Sequence, residues 1–333
     1  MIHERPTDFG RAMAALITVQ ILFGLHYPAA REIVTAIHPQ AWTGLRVAGA
    51  ALVVLPLFVI LRAPWPKGGR EWGSLLALSV FGVFINQWAF AEGIARSTST
   101  HGVIIMALIP LISLLLAVSA KQERFTFHKA VSVLIGLTGM MVLLHADEIL
   151  LGNTSAFMKT RDGETAKRFL DTVLAGDLMM VANATSYSVF LVLSKHLTKT
   201  MSPLTMTMGL YVWGALLVVP IVAMPTLADV NITGLSLTHT LIAIFIILGP
   251  TFATYFLNIF CLKRLPTSLV SIFIYLQVLV AASFGILFQG DVVDWRVGVA
   301  ALLVLGGLSL RIVRSRDPVP AHGGMVAAGE RAG

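Results

Sequence analysis

From residue 11 to residue 313 the chain alternates long apolar runs with short connections in which the charged residues collect. A helix crosses the hydrocarbon core of a bilayer in about 20 apolar residues. By that measure ten spans are predicted, near 11–30, 41–61, 73–93, 99–119, 128–145, 174–194, 203–224, 238–260, 267–289 and 295–313. Gly82, Pro110, Pro220 and Pro250 fall inside these runs, which membrane helices tolerate because neighbouring groups re-satisfy the freed backbone.

The two halves share a helix pair at one offset. In THGVIIMALIPLISLLLAVSAKQE, Pro110 stands thirteen residues before Glu123; in SLVSIFIYLQVLVAASFGILFQGD, Val278 stands thirteen before Asp291. A shift of 168 positions carries Pro110 onto Val278, Glu123 onto Asp291, Arg96 onto Arg264 and Gly139 onto Gly307. Five spans per half is an odd number, so the halves point oppositely across the bilayer. That is the internal signature of a secondary transporter. The fold class expected is an all-α integral membrane protein, ten transmembrane helices as two inverted five-helix repeats. The expected organisation is a cytoplasmic N-terminus over 1–10, a first repeat over 11–145, a connecting loop over 146–173, a second repeat over 174–313 and a disordered tail over 314–333. Around Glu164 to Leu170 the connection reads either as a short amphipathic helix or as a bare linker.

Composition agrees with a lipid solvent. Hydrophobic residues make up 56% and charged residues 12% of the 333, against roughly 25% charged in a soluble domain. Mean hydropathy is +0.83. The net charge of +7 does not point to nucleic acid, because the basic residues lie in short runs between apolar stretches rather than on one face. The single Cys261 excludes an intrachain disulfide and a cysteine zinc site. The run from Met13 to Phe23 continues without a small-x-small cleavage site and is expected to be a retained first span.

Orientation follows from the basic residues of the short connections. Sixteen Lys and Arg, among them Arg62, Lys67, Arg124, Lys195 and Arg311, fall on one side, against Arg31, Arg96 and Arg296 on the other. Both termini are therefore expected in the cytoplasm.

The segments LIPLISLLLAVSAKQERFTFHKAVSVLIGLTGMMVLL and YLQVLVAASFGILFQGDVVDWRVGVAALLVLGGLSL, with GDLMMVANATSYSVFLVLSKHL and WTGLRVAGAALVVLPL, resemble the drug/metabolite transporter superfamily in its EamA-type ten-span branch. The resemblance covers nearly all of 11–313. The chain departs from the family pattern at Val278, where proline is frequent, and at Asp291, where glutamate is frequent, so a kink at Pro110 need not recur at Val278. The resemblance implies a multi-pass carrier of small metabolites in the bacterial inner membrane, often an exporter, with substrates ranging over amino acids, sugars, nucleobases and drugs.

A site in such a fold is expected near the midplane where the repeats meet. Gln20, Asn183, Tyr187 and Gln277 lie near span centres, and Gln87 and Trp88 about a turn beyond the centre of the third; the 168 shift pairs Gln87 with Tyr255. Each of these side chains is a candidate for substrate contact or for gluing helices together. Charge is expensive at depth, so Arg46, about two turns inside the second span, requires a partner. His26, Glu92 and His101 share its half of the first repeat, and Asp177 opens the sixth span on that side. They read as a gate, a carboxylate clamp on Arg46 or a proton relay, or alternatively as an Arg46–Glu92 ion pair and snorkelling charges. Glu123 and Asp291 read as structural or gate-forming, each beside the start of the next helix, whose dipole favours an acid by about 0.3–1 kcal/mol.

No nucleophile elbow, zincin motif, phosphate-binding loop or dinucleotide fingerprint is present. No enzyme activity, cofactor or metal is expected. The partners expected are a small-molecule substrate, the lipid bilayer and, as a candidate coupling ion, protons, with no nucleic acid. The preferred substrates are amino acids or related amphipathic compounds; the alternatives are a carrier of nucleobases, vitamins, sugars or drugs, or a membrane binding or scaffold protein that transports nothing.

Overall fold

The computed structural model describes residues 6–96, 105–143, 163–228, 235–284, 287–288 and 295–315. The first half holds α1 (Pro6–Ala36), α2 (Pro39–Ile60), α3 (Gly69–Ser79, through a π-helical segment Val80–Ile85, into Asn86–Arg96), α4 (Ile109–Ser119) and α5 (Phe127–Leu143). The second holds α6 (Gly163–Leu197), α7 (Pro203–Val218, through a π segment Val219–Ala223, into Met224–Leu227) and α8 (Leu237–Ile246, through a π segment Ile247–Ala253, into Thr254–Arg264). It ends with α9 (Thr267–Ile272 and Ile274–Phe284) and α10 (Trp295–Ser315). Among the described residues this integral membrane protein is all-α, ten helices in two inverted repeats.

Local chemistry sets where the helices begin. Proline occupies the first turn of α2, α4 and α7, where no intrahelical N–H is needed. Ser202 and Ser236 cap α7 and α8 by accepting from the backbone N–H of Thr205 and His239, at 3.1 and 3.2 Å. Burial then follows the helical period. On α2 the buried face reads Trp42, Arg46, Ala50, Val54, Phe58, while Leu52 on the opposite face is 72% exposed. Phe127 and Leu302 are likewise 81% and 76% exposed. Large apolar side chains pointing outward all round the bundle are unfavourable in water and neutral against lipid tails.

Packing repeats the internal symmetry. The pairs α2 with α7 and α5 with α10 each join equivalent helices; α3 on α6 is matched by α8 on α1, and α4 on α6 by α9 on α1. Exchanging the halves leaves this pattern of neighbours unchanged. The α5–α10 contact is close because Gly307 has no side chain: a Cβ there would lie 2.7 Å from the Ser132 carbonyl oxygen.

Several elements differ from the sequence reading. α6 begins at Gly163, inside the segment expected to be a connection, so its Glu164–Leu170 stretch is the start of a long helix; residues 146–162 lie outside the described set. In α4 a turn at 107–108 precedes Pro110, whereas Val278 sits inside the continuous helix Ile274–Phe284, and the break in α9 falls at Phe273. The absence of a break at Val278 agrees with the reading that a kink at Pro110 need not recur there. Arg311, counted as a connection charge, lies within α10 and is 3% exposed. The tail beyond 315 is outside the described residues.

Candidate functional site

The π segments locate the site. A shift of 168 carries Val80–Ile85 of α3 onto residues 248–253 of α8, within the π segment Ile247–Ala253. A π turn breaks the regular i→i−4 ladder and leaves carbonyls for other donors. Side chains take them up across the bundle. Ser186 Oγ donates to Phe81 O at 2.6 Å, Tyr211 Oη to Thr251 O at 2.5 Å, and the Tyr255 hydroxyl lies 3.0 Å from Gly82 O. Gly82 has to be glycine for the helices to meet here, since a Cβ would lie 2.5 Å from the Phe190 ring.

Immediately after the π segments stand the repeat-equivalent residues Gln87 and Tyr255, and they touch: Gln87 Nε2 donates to Tyr255 Oη at 3.1 Å. Asn86 Oδ1 lies 3.1 Å from the same hydroxyl, and Asn183 Nδ2 donates to the Asn86 backbone oxygen at 2.6 Å. Asn258 Nδ2 donates to Tyr187 Oη at 3.1 Å, and the Tyr187 and Tyr255 rings meet edge to face at 6.3 Å. The interface between the repeats is therefore a polar and aromatic knot at mid-bundle.

A cavity opens beside it. Its polar lining includes His26, Arg46, Gln87, Asn183, Tyr255 and Gln277, and its apolar walls include Phe23, Phe90, Ile109, Tyr187 and Ile274. Arg46 is 6% exposed. Its Nη1 lies 3.2 Å from His26 Nε2. Arginine can only donate, so His26 must accept through Nε2 and carry its single proton on Nδ1. A second proton on His26 would set two cations at hydrogen-bond distance.

Three buried polar atoms of the lining have no hydrogen-bond partner: the donor Arg46 Nε and the acceptors Asn183 Oδ1 and Thr251 Oγ1. Among the described residues no carboxylate pairs with Arg46. An unpaired buried donor or acceptor costs roughly 1–3 kcal/mol, more when charged. The same low-polarity surroundings strengthen a charge pair to about 4 kcal/mol at 4 Å for an effective dielectric of 20. Chemically, the site offers a cation, two free acceptors and aromatic walls to a molecule carrying an anionic group, a donor and an apolar part.

The sequence candidates divide accordingly. Arg46, Gln87, Asn183, Tyr187, Tyr255, Gln277 and His26 line one cavity. Gln20 is buried nearby on α1 with its Oε1 unpartnered but is not part of the lining. Trp88 is 37% exposed and stacks on Phe84, away from the cavity. Glu92 does not pair with Arg46: its carboxylate is held by Arg96 and by Gln40 Nε2. His101 lies outside the described residues. Sequence reasoning overlooked Asn86 and Thr251.

The sequence profile of the EamA-like transporter family matches residues 10–145 and 174–313. An "uncharacterized transporter" of Archaeoglobus fulgidus is 24% identical over 298 residues, spanning 88% of this chain and 95% of its own. A crystal structure of another protein superposes with a TM-score of 0.71 over 92% of this chain and 98% of its own, at 18% identity, a likeness of fold alone. With both repeats matched, the chain belongs to the EamA-like transporter family.

Proposed function

We propose that this membrane transporter carries amino acids or closely related amphipathic carboxylates by alternating access, the two repeats rocking about the Gln87–Tyr255 contact. The observation that carries the reading is the set of unpartnered atoms in one cavity: Arg46 Nε for a carboxylate, Asn183 Oδ1 and Thr251 Oγ1 for an ammonium group. Phe23, Phe90, Tyr187 and Ile274 would hold an apolar side chain. A nucleobase or sugar carrier would draw on the amides, but Asn86 and Gln87 already bond to one another and to Tyr255. The charge asymmetry of the connections supports placing both termini in the cytoplasm of an inner-membrane protein. Export rests on the family resemblance. For proton coupling, Glu92 on its Arg96–Gln40 perch is the group to examine rather than His26, which is committed to Arg46.

Counterflow into proteoliposomes, run with the purified protein against labelled amino acids, sugars and nucleobases, tests the reading. Uptake of an amino acid is expected. Uptake confined to sugars or nucleobases would refute the amino-acid assignment, and no uptake of any compound would favour a scaffold.

A further inference from the structure

A second polar cluster lies apart from the cavity, and an acid of the first repeat stands at its centre. Glu123 follows α4 and Lys129 opens α5, both in the first repeat; Ser268 opens α9 and Arg311 lies in the last turns of α10, both in the second. Glu123 Oε1 accepts from the Ser268 backbone N–H at 2.9 Å and Oε2 from the Ser268 hydroxyl at 2.5 Å. Lys129 Nζ lies 2.8 Å and Arg311 Nη2 3.7 Å from Glu123 Oε2. The position before α9's first turn is Pro266, which makes no capping bond, so a carboxylate from the other repeat satisfies the backbone donor there.

The cluster is at the opposite end of α4 from the cavity. Ile109 at the start of α4 lines the cavity, and the helix Ile109–Ser119 then runs 11 residues away from it, about 16 Å of rise. Beside the cluster, Gln122 Nε2 donates to Val192 O on α6 at 2.8 Å, adding a second tie between the halves.

We propose that Glu123 is the latch that shuts this end of the bundle, and that the repeats part here by releasing the Glu123–Ser268 bonds when the cavity is to be reached from that side. The proposal rests on the alternating-access reading above, since only a protein that alternates needs a seal that opens. The arrangement is suited to release because each half keeps a partner afterwards. Glu123 stays with Lys129, within the first repeat, and Arg311 Nη2 stays 2.7 Å from Ser268 Oγ, within the second. Opening severs the Ser268 bonds and the longer Arg311 contact; Glu123 keeps Lys129 as counterion, while Arg311 keeps only the neutral Ser268 hydroxyl and has to be met by water entering the opened end.

The test is an electron–electron distance measurement on spin labels at Arg124→Cys and Lys263→Cys, exposed positions in the α4–α5 connection and at the end of α8, in the full chain in liposomes with the buried Cys261 left in place. Ser268→Ala removes the hydroxyl bond while leaving Glu123 paired with Lys129, and Glu123→Gln weakens the whole cluster. A second, longer distance population is expected in both variants, larger in Glu123→Gln. Distance distributions identical to the unmodified protein in both variants would overturn the latch; should Glu123→Gln fail to fold, Ser268→Ala decides alone. The readout needs no substrate, so a failed counterflow panel would count against the amino-acid reading without touching this result.

Discussion

Two arginines in this protein are buried to similar degrees, Arg46 at 6% and Arg311 at 3% exposure, each with an unpartnered Nε, and they differ in what their terminal nitrogens face. Arg311 faces a carboxylate and a hydroxyl supplied by the protein, at 3.7 and 2.7 Å. Arg46 faces a neutral imidazole and a cavity. Burying a guanidinium is costly wherever it happens, so the partner identifies the purpose. Where the chain provides the anion, the arginine helps hold two repeats together. Where it provides space instead, as at Arg46, the proposed function has the substrate bring the anion.

The comparison breaks most visibly at the paired end. Replacing Glu123 with Ala leaves Lys129 and Arg311 without their shared carboxylate, and removing one member of a buried ion pair destabilises by about 3–5 kcal/mol; the expected outcome is a marked loss of thermal stability in detergent. Arg46→Ala should by contrast cost little stability, because no protein carboxylate is orphaned. If both variants lose stability equally, the two arginines are doing the same job and the distinction fails.

A smaller effect is expected at the contact between repeats. Tyr255→Phe removes the hydroxyl shared by Gly82, Asn86 and Gln87, worth about 1–3 kcal/mol if the buried partners stay unsatisfied. Its melting temperature should fall between those of Arg46→Ala and Glu123→Ala.

Acid offers a third handle. Burial pushes the Glu123 carboxyl up, but the bonds from Lys129 and Ser268 outweigh it and hold the group below its ordinary value of 4.5. The folded state thus favours the ionised form. Its contribution is complete above pH 4.5 and is lost as pH falls through the lowered folded value. The melting temperature should drop with acidification below pH 4.5 in the native protein and less steeply in Glu123→Gln. The smallest effect belongs to Trp88→Ala, which should leave counterflow unchanged, since Trp88 stacks on Phe84 outside the cavity.

Trp88 and Asn86 lie two residues apart at one depth of α3, so depth alone could not tell which of them faces the cavity; helix phase decides it. Sequence periodicity assumes a regular helix, but α3 passes through the π segment Val80–Ile85 just before these residues. An extra residue in a turn rotates everything after it by about 100° relative to a regular helix. Asn86 and Gln87 are thereby the pair turned inward, and Trp88 is carried outward. Nothing in the apolar pattern of ALSVFGVFIN announces that turn, though the matching Gly249–Pro250 in α8 is a hint that helical order is disturbed there.

The spans themselves were legible because twenty apolar residues in a row admit few structures, and the repeat because Pro110–Glu123 and Val278–Asp291 keep one spacing. Arg46 was legible as a charge too deep to stand alone. The Glu123 cluster was only half legible. The acid was visible, but its partner was sought at the start of the next helix, α5. It does meet Lys129 at the start of α5, but it also accepts at the start of α9, 145 positions away, a pairing that only the assembled repeats create.

Arg46 is proposed to hold a substrate carboxylate. The most direct measurement is competition in the counterflow assay between an amino acid and its C-terminal amide, in the native protein and in Arg46→Ala. A charged hydrogen bond worth about 1.5–3 kcal/mol corresponds to roughly ten- to hundredfold. The free acid should therefore compete better than the amide by that factor in the native protein, and the preference should vanish in Arg46→Ala. Equal competition by acid and amide in the native protein, or a preference that survives the loss of Arg46, would contradict the account.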